Sequence, residues 1–319
     1  MKKYNLLIIG KLPLPIGGVT IHVQRLTEWL DKIGYNYIFY DLRTFNIRSF
    51  ANGIREAKYA HIHCSSPALK VIFTILCILF KTKSIVTFHG NLGVYSFFKN
   101  QLDFLSLRLS SYPIVLNEGS YIQGRKYNAR VLRQEAYIPA LNVPEDLKSD
   151  SLNAIETLRK ESSFVVCTNA FNWLIDKNNK EVYSITKLVS FFTAYPAWGL
   201  IISDPSGNCK AHLGKEPRNI LFVDYPHTFI NILRLSDCFV RYTTTDGDSL
   251  SIHEALDNNI PVIATDVVSR PEGTVIVKID DYNMLEQALL DISERPATKS
   301  SYSQNSRYPD IIQFYINLK

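Results

Sequence analysis

The sequence is poor in the residues and patterns that mark specialised classes of protein. It holds 14 glycines and 14 prolines in 319 residues and no repeat, which excludes collagen-like and disordered chains. Its five cysteines are odd in number and form no C-x-x-C pair, so neither a disulfide framework nor a structural zinc site is indicated. This cysteine usage fits a reducing cytosol.

Long apolar runs are also missing. The longest, residues 71–80, lies between two lysines and is half as long as the roughly 20 residues that span a bilayer. The first apolar run, Leu6 to Ile9, is too short for a signal peptide. We therefore predict a buried helix at 71–80 and a cytoplasmic protein.

What the sequence does have is a globular composition with a regular alternation of strands and helices. Hydrophobic residues make up 46% of the chain, and 319 residues exceed the roughly 250–300 that one core usually serves. Short β-branched and aromatic runs alternate with amphipathic stretches, of which Val19–Ile33 is the clearest helix. This rhythm predicts an α/β chain with two doubly wound, Rossmann-like parallel sheets. The predicted strands are Tyr4–Gly10, Tyr35–Tyr40, Tyr59–Cys64, Ser84–His89, Tyr112–Leu116, Arg130–Arg133, Phe164–Cys167, Leu200–Ser203, Ile220–Val223, Cys238–Tyr242, Pro261–Thr265 and Thr274–Ile279.

A proline-containing polar stretch, residues 139–150, is the natural linker between the two predicted domains. We expect an N-terminal domain over 1–145, a C-terminal domain over 146–300, and a tail over 301–319 that packs back on the N-terminal domain. Doubly wound sheets bind ligands at the carboxyl ends of their strands. Function is therefore expected in the strand-to-helix loops, with the two domains facing each other across a cleft.

Charge is unevenly distributed along the chain. Residues 1–150 carry 19 Lys and Arg against 10 Asp and Glu, a net charge of +9, whereas residues 151–319 carry 16 against 20, a net charge of −4. A basic half suggests an anionic partner, either phospholipid or a phosphorylated substrate, and the alternative is a solvated charged face. Nucleic acid is not expected, because no helix-turn-helix, zinc finger or aromatic-flanked basic cluster is present. The basic residues predicted to be exposed on helices of this half are Lys99, Arg108, Arg125 and Lys126.

The loop over residues 11–19 carries a double glycine, Gly17 and Gly18, just before the first helix. Neither G-x-G-x-x-G nor a phosphate-loop lysine frame is present, which argues against the two commonest nucleotide-binding classes. Two glycines would let a phosphate approach the free amides of the helix start, and a simple tight turn is the alternative.

Histidines occur at two predicted strand ends. His89 follows the strand at 84–89 and could bind a polar ligand or move a proton, or be purely structural. His61 and His63 share one face of a strand, but no carboxylate or thiolate accompanies them at ligand spacing. No metal site is therefore predicted.

The loop and helix over residues 241–256 are the most informative part of the sequence. We predict that Asp248 is the N-cap and that the amides of Ser249 and Leu250 open toward a phosphate. Glu254 follows one turn later, and Asn259 is predicted to end the helix in the left-handed conformation.

The stretch from Asp246 to Asp266 resembles the E-x7-E region of retaining glycosyltransferases of the GT-B fold, most closely glycosyltransferase family 4. The glycine loop and the strand-end histidine fall where that family has its own, so the resemblance covers most of the chain. It implies that Glu254 holds the ribose of a sugar nucleotide and that Asp246, which replaces a glutamate, lies beside the donor sugar. It further implies that the Ser249 and Leu250 amides hold the diphosphate, that Gly17 and Gly18 approach it from the other domain, and that His89 lies near the transferred sugar.

The chain departs from the family where an arginine and a lysine usually neutralise the leaving diphosphate. Residues 167–173 contain no arginine, and Asn169 is the donor-binding candidate there. Lys177, Lys180 and Arg241 are the candidates for the missing charge, with Arg241 preferred.

The resemblance implies a retaining glycosyltransferase of hexosyltransferase type that works without metal or other cofactor. The donor is a nucleotide diphosphate sugar, and the acceptor is a hydroxyl of a growing, lipid-linked glycan in bacterial surface polysaccharide synthesis, of O-antigen or capsule type. Peripheral contact with the cytoplasmic face of the inner membrane follows from the basic first half. The alternatives are a catalytically silent sugar-nucleotide-binding subunit and a GT-B nucleotide-sugar epimerase or phosphorylase.

Overall fold

The computed structural model describes residues 2–44, 46–176, 178–214, 217–294 and 308–318. The chain divides into two compact units. Unit 1 runs to Leu141 and takes in residues 308–318, and unit 2 begins at Asn142. Each unit is built around one parallel six-stranded sheet with helices.

The sheet of unit 1 has the strand order β2-β1-β3-β4-β5-β6. Its strands are β1 (Tyr4–Gly10), β2 (Tyr37–Asp41), β3 (Ala57–Ile62), β4 (Lys83–Phe88), β5 (Tyr112–Val115) and β6 (Leu132–Arg133). Its helices are α1 (Gly18–Lys32), α2 (Ile47–Glu56), α3 (Pro67–Leu79), α4 (Phe97–Leu109) and α5 (Glu118–Arg125). The run Leu6 to Ile9 in β1 is fully buried, as expected for a parallel strand covered on both faces.

The sheet of unit 2 has the order β12-β11-β10-β7-β8-β9. Its strands are β7 (Phe164–Asn169), β8 (Trp198–Ser203), β9 (Ile220–Val223), β10 (Cys238–Arg241), β11 (Val262–Thr265) and β12 (Thr274–Val277). Its helices are α6 (Ser149–Glu161), α7 (Ile185–Ala194), α8 (Asn208–Leu213), α9 (Phe229–Leu233), α10 (Leu250–Asp257) and α11 (Tyr282–Ser293).

The last described segment carries the helix α12 (Asp310–Ile316), which belongs to unit 1. Its Tyr315 is fully buried, with its hydroxyl hydrogen-bonded to His61 Nδ1 and its carbonyl accepting from the Tyr35 hydroxyl at 3.0 Å. The described part of the predicted tail therefore packs on α1 and the first strands, and residues 301–307 lie outside the described residues.

All twelve predicted strands are present, with ends that differ by two residues or fewer. The prediction of a buried helix at 71–80 was wrong. Helix α3 forms there, but Ile72, Ile75 and Ile78 are 42–52% exposed, because only one side of the helix packs on the sheet and on α4. Among the described residues, no helix combines the length and the apolar character needed to cross a bilayer.

Candidate functional site

The sheet of unit 2 reverses its winding direction between β7 and β10. These two strands are adjacent in the sheet although β8 and β9 lie between them in the sequence. In doubly wound sheets the carboxyl ends of the strands at such a switch point bind ligands. Asn169 ends β7 and Arg241 ends β10, and Arg241 Nη1 donates to Asn169 Oδ1 at 3.0 Å. Two of the predicted site residues therefore meet at the switch point.

Asp246 lies between two guanidinium groups. Arg241 donates from Nε and Nη2 to its two carboxylate oxygens at 3.0 and 2.9 Å, and Arg270 Nη1 donates to Oδ2 at 2.8 Å. All three side chains are at most 10% exposed. Burial alone would raise the pKa of Asp246, but Arg241 and then Arg270 more than offset it, so its pKa lies below the usual range. The buried cluster of Arg241, Asp246 and Arg270 thus carries a net charge of +1.

Arg270 is a site residue that the sequence interpretation missed. Its Nε donates to the Thr265 carbonyl at 2.9 Å, whereas its Nη2 is buried with no hydrogen-bond partner among the described residues. A buried charged donor without an acceptor is costly, so this nitrogen marks a place where an anion or water accepts. In the sequence, Arg270 is marked only as a basic residue soon after β11, and it belongs to no motif.

The start of α10 differs from the prediction in its cap. Asp248 was predicted as the N-cap, but the N-cap is Ser249, and Asp248 Oδ1 instead pairs with His253 Nε2 at 2.7 Å. The imidazole of His253 in the first helical turns competes for the carboxylate that would have capped the helix. The Ser249 hydroxyl bonds Ser251 Oγ at 2.9 Å and does not cap the first turn. The N-cap side chain therefore leaves the positive end of the helix open to a ligand or solvent.

Helix α10 is tied to the switch point through Ser251, whose Oγ donates to Asn169 Oδ1 at 3.3 Å. Leu250 is the first helical residue, and Glu254 follows one turn on and is 6% exposed. Asn259 has the predicted left-handed conformation, with φ +57°. The helix end and the spacing of the motif are thus as the sequence indicates.

Of the two lysine candidates, Lys180 is described, and it is not part of this cluster. Lys180 is about half exposed, and its Nζ lies 3.7 Å from Asp280 Oδ2. Lys177 lies outside the described residues. The segment beside Lys180 does reach the loop after β10, because Thr244 Oγ1 donates to Asp176 Oδ2 at 2.9 Å.

In unit 1, Gly17 is the N-cap of α1, and its amide donates to Thr20 Oγ1 at 3.1 Å. Gly18 is the first helical residue, and a Cβ there would meet nothing within 4 Å. The helix therefore begins where the double glycine predicts, with open space at Gly18 that a ligand can approach.

His89 directly follows β4 and is partly exposed. Its Nε2 lies 3.1 Å from His63 Nδ1, and burial lowers its pKa well below the usual range, so the ring is neutral at physiological pH. His61 is fully buried and packs against His63 with ring centroids 3.9 Å apart, which confirms that the two share one face of the strand.

No protein-family model matches the sequence, and no curated protein matches it either. Solved structures do match. HepE of Anabaena, solved with UDP, superposes with a TM-score of 0.65 at 12% identity over 93% of both chains. Sucrose-phosphate synthase of Thermosynechococcus elongatus gives 0.64 at 13% identity over 92% of this chain and 90% of that one. WaaG, a glycosyltransferase of lipopolysaccharide biosynthesis, gives 0.60 at 9% identity over 91% and 90%.

The chain has the GT-B fold. This confirms the fold that the resemblance implied. In this fold, the cluster of Arg241, Asp246 and Arg270 beside the start of α10 offers a buried positive charge and oriented amides. Such a set suits an anion whose charge grows during a reaction.

Proposed function

We propose that the protein is a retaining glycosyltransferase that takes a sugar from a nucleotide diphosphate sugar without a metal ion. The observation that carries this proposal is the net positive cluster of Arg241, Asp246 and Arg270 at the switch point of unit 2, next to a helix start that its N-cap side chain, Ser249, does not cap. The GT-B fold supports it, and HepE has been solved with UDP and with UDP-glucose.

In this proposal the diphosphate lies at the start of α10. The amides of Ser249 and Leu250 and the unpartnered Nη2 of Arg270 donate to its oxygens, and Glu254 accepts from the ribose hydroxyls. As the bond to the sugar breaks, charge develops on the leaving diphosphate, and these fixed donors stabilise it. Asp246 lies beside the donor sugar, held in its ionised form by its two arginines.

Arg241 remains the proposed stand-in for the missing arginine, although three of its five N–H groups point to Asp246 and Asn169. Arg270 joins it, because its free nitrogen has no described acceptor. Lys177, Lys180 and Asn169 stay donor-binding candidates. In unit 1, the backbone at Gly17 and Gly18 is proposed to approach the diphosphate, with the Gly18 amide as a donor because the Gly17 amide is held by Thr20, and the neutral His89 is proposed to contact the transferred sugar.

We further propose that the acceptor is a hydroxyl of a lipid-linked glycan of bacterial surface polysaccharide and that unit 1 touches an anionic membrane from the cytoplasmic side. An apolar stripe supports the contact. It comprises the exposed residues of the packed helices α3 and α4, which are Leu69, Ile72, Ile75, Ile78, Leu79, Phe97, Phe98 and Leu105. Two of the predicted basic residues, Lys99 and Arg108, are exposed on α4 beside it. Apolar residues flanked by basic ones are typical of interfacial membrane contacts.

A thermal-shift panel tests the proposal. We expect UDP or another nucleoside diphosphate, and one of its sugars, to raise the unfolding temperature, since a ligand at 100 times its Kd stabilises by about 2.7 kcal/mol. Nucleosides without phosphate should give no shift. The donor so found is then incubated with glycan acceptors, and a product with the anomeric configuration of the donor supports retention. If no nucleoside diphosphate shifts the unfolding temperature, the proposal is wrong.

The two alternatives make different predictions in the same assays. A silent binding subunit gives the thermal shift but neither transfer nor donor hydrolysis. An epimerase or phosphorylase turns over the nucleotide sugar without a glycan acceptor.

A further inference from the structure

Three histidines from three elements of unit 1 converge at the carboxyl edge of its sheet. His22 lies on α1, His63 directly follows β3, and His89 directly follows β4. One ring nitrogen from each residue lies within 4.8 Å of the other two. The winding of this sheet reverses between β1 and β3, so the group lies where a doubly wound sheet exposes its ligand-binding loops.

The separations are close to those of a metal site. His63 Nδ1 and His89 Nε2 are 3.1 Å apart. The ring centroid of His22 lies 5.2 Å from that of His63 and 5.1 Å from that of His89. Tetrahedral zinc with Zn–N bonds of about 2.0–2.1 Å needs nitrogens about 3.3 Å apart. The closest pair lies near this value, and the third nitrogen, which is within 4.8 Å of both, has to move closer by up to about 1.5 Å through side-chain rotation.

A backbone carbonyl orients the His22 ring as it does in metal sites. His22 Nδ1 donates to the Ala136 carbonyl at 2.7 Å, so in the neutral ring Nε2 carries the lone pair. His63 is 1% exposed and turns its Nδ1 toward His89, so its Nε2, which has no hydrogen-bond partner among the described residues, carries the proton when Nδ1 binds the ion. His61 is not a ligand, because its nitrogens already bond Tyr315 and Thr87.

We propose that His22, His63 and His89 form a site for one divalent transition-metal ion, with water or an anion as a fourth ligand on the partly exposed side of His89. Three imidazoles favour zinc, cobalt, nickel or copper over magnesium and calcium, which prefer oxygen ligands. The nearby cation Lys70 does not oppose the ion strongly, because its charge is balanced by Asp103 at 2.9 Å. This inference goes beyond the proposed transfer, which uses no metal, and the two share only His89, which is proposed there to contact the transferred sugar.

Titration of the full-length chain with Co²⁺ and Zn²⁺ tests the site, in the absence of nucleotide and of any polyhistidine tag. We expect one Co²⁺ per chain, with the strong visible absorption of a four-coordinate site, and its displacement by Zn²⁺ but not by Mg²⁺. His22→Asn and His89→Asn should each weaken binding at least tenfold. The control variant His212→Asn, which changes an exposed histidine of unit 2, should bind as the wild type does.

Two results would overturn the proposal: no stoichiometric binding by the wild type, or binding that survives both substitutions. Circular dichroism and the unfolding temperature of each variant show whether it is folded. If His22→Asn does not fold, the partly exposed His89→Asn decides the matter together with the wild-type stoichiometry. Because no nucleotide is present, failure here leaves the proposed donor site untouched, and failure of donor binding leaves this site untouched.

Discussion

Asp246 holds two buried arginines in place, and each of the three side chains depends on the others. Arg241 bridges Asp246 and Asn169, and Arg270 bridges Asp246 and the Thr265 carbonyl. Removing one partner of a buried ion pair leaves an uncompensated charge, which is more costly than the pair itself is stabilising.

We therefore expect Asp246→Asn to lower the free energy of unfolding by roughly 3–5 kcal/mol at pH 7, measured by urea denaturation. The pKa of Asp246 is lower in the folded protein than in the unfolded chain, where it is about 3.9. Its ionised carboxylate therefore stabilises the fold at pH values above about 3.9, and this stabilisation is lost as the pH falls through the folded pKa. The difference between wild type and variant should thus shrink below pH 4. A difference that is constant from pH 7 to pH 3 would contradict this assignment.

Arg270→Lys separates the structural and binding roles of Arg270. Lysine keeps the charge for Asp246 but cannot serve a second acceptor with the geometry of a guanidinium. Loss of a charge-assisted hydrogen bond of about 1.5–3 kcal/mol should raise the Kd of the nucleoside diphosphate by about 10- to 100-fold, measured by calorimetry. The control is Arg234→Lys, which changes an arginine that bonds Asn258 on the surface, and it should leave the Kd unchanged. Equal effects of the two substitutions would exclude Arg270 from the site.

At the residue scale, the sequence predicts those site residues that local motifs carry. Asp246, Glu254 and the helix start follow from the spacing within one strand-loop-helix segment. Arg270 and His22 could not be predicted in the same way, because their partners come from other strands and only the sheet order brings them together. The prediction of Asp248 as the N-cap was wrong, because a side chain on the same helix, His253, competes for its carboxylate.

At the scale of elements, the helices α3 and α4 are joined by a buried ion pair beneath an exposed apolar stripe. Lys70 Nζ lies 2.9 Å from Asp103 Oδ1, with the two side chains 4% and 2% exposed, and the Lys70 Nζ also lies 4.6 Å from the centre of the Phe88 ring. The pair fixes how the two helices pack.

We expect Lys70→Met to destabilise the protein by about 3–5 kcal/mol, because Asp103 stays buried without its partner. The double substitution Lys70→Met with Asp103→Leu should recover most of this loss, as apolar replacements of buried pairs often do. The exposed pair of Arg133 and Glu118 is the control, and Arg133→Met should change the free energy of unfolding by about 0–1 kcal/mol. A double variant as unstable as the single one would show that the pair itself is needed.

The strands were predictable because each buried parallel strand is a short apolar run between turn residues, whatever its partners. The exposure of one side of α3 could not be predicted from the sequence. Residues 69–79 are apolar on both sides, and apolar periodicity cannot show whether the outer side is covered by protein. The apolar stripe is therefore the feature of unit 1 that only the structure could reveal.

At the scale of the whole molecule, the structure shows where basic residues of the first half lie on the surface of unit 1. All four residues predicted to be exposed on helices, Lys99, Arg108, Arg125 and Lys126, are exposed. The first two lie on α4 with Phe97 and Phe98 of the apolar stripe, so charge and apolar surface occur on the same helix.

Vesicle co-sedimentation tests this surface. The protein should bind phosphatidylglycerol-containing vesicles at low salt and bind more weakly at about 0.5 M salt, where the Debye length is about 4 Å. Phe97→Ser with Phe98→Ser should reduce binding at both salt concentrations, and Lys99→Glu with Arg108→Glu mainly at low salt. The control Leu152→Ser with Met284→Ser removes exposed apolar residues of unit 2 and should bind normally. No binding at low salt, or equal losses in the control, would contradict the membrane contact.

The central claim is that unit 2 binds a nucleoside diphosphate sugar through α10, and calorimetric titration of the donor into Glu254→Gln tests it most directly. Glu254 is 6% exposed on α10, and the near-isosteric glutamine keeps its packing while removing the charge that would hold the ribose hydroxyls. We expect a Kd about 10- to 100-fold higher than that of the wild type with the unfolding temperature little changed, and an unchanged Kd for the control Glu272→Gln at an exposed position. An unchanged Kd for Glu254→Gln would contradict the claim.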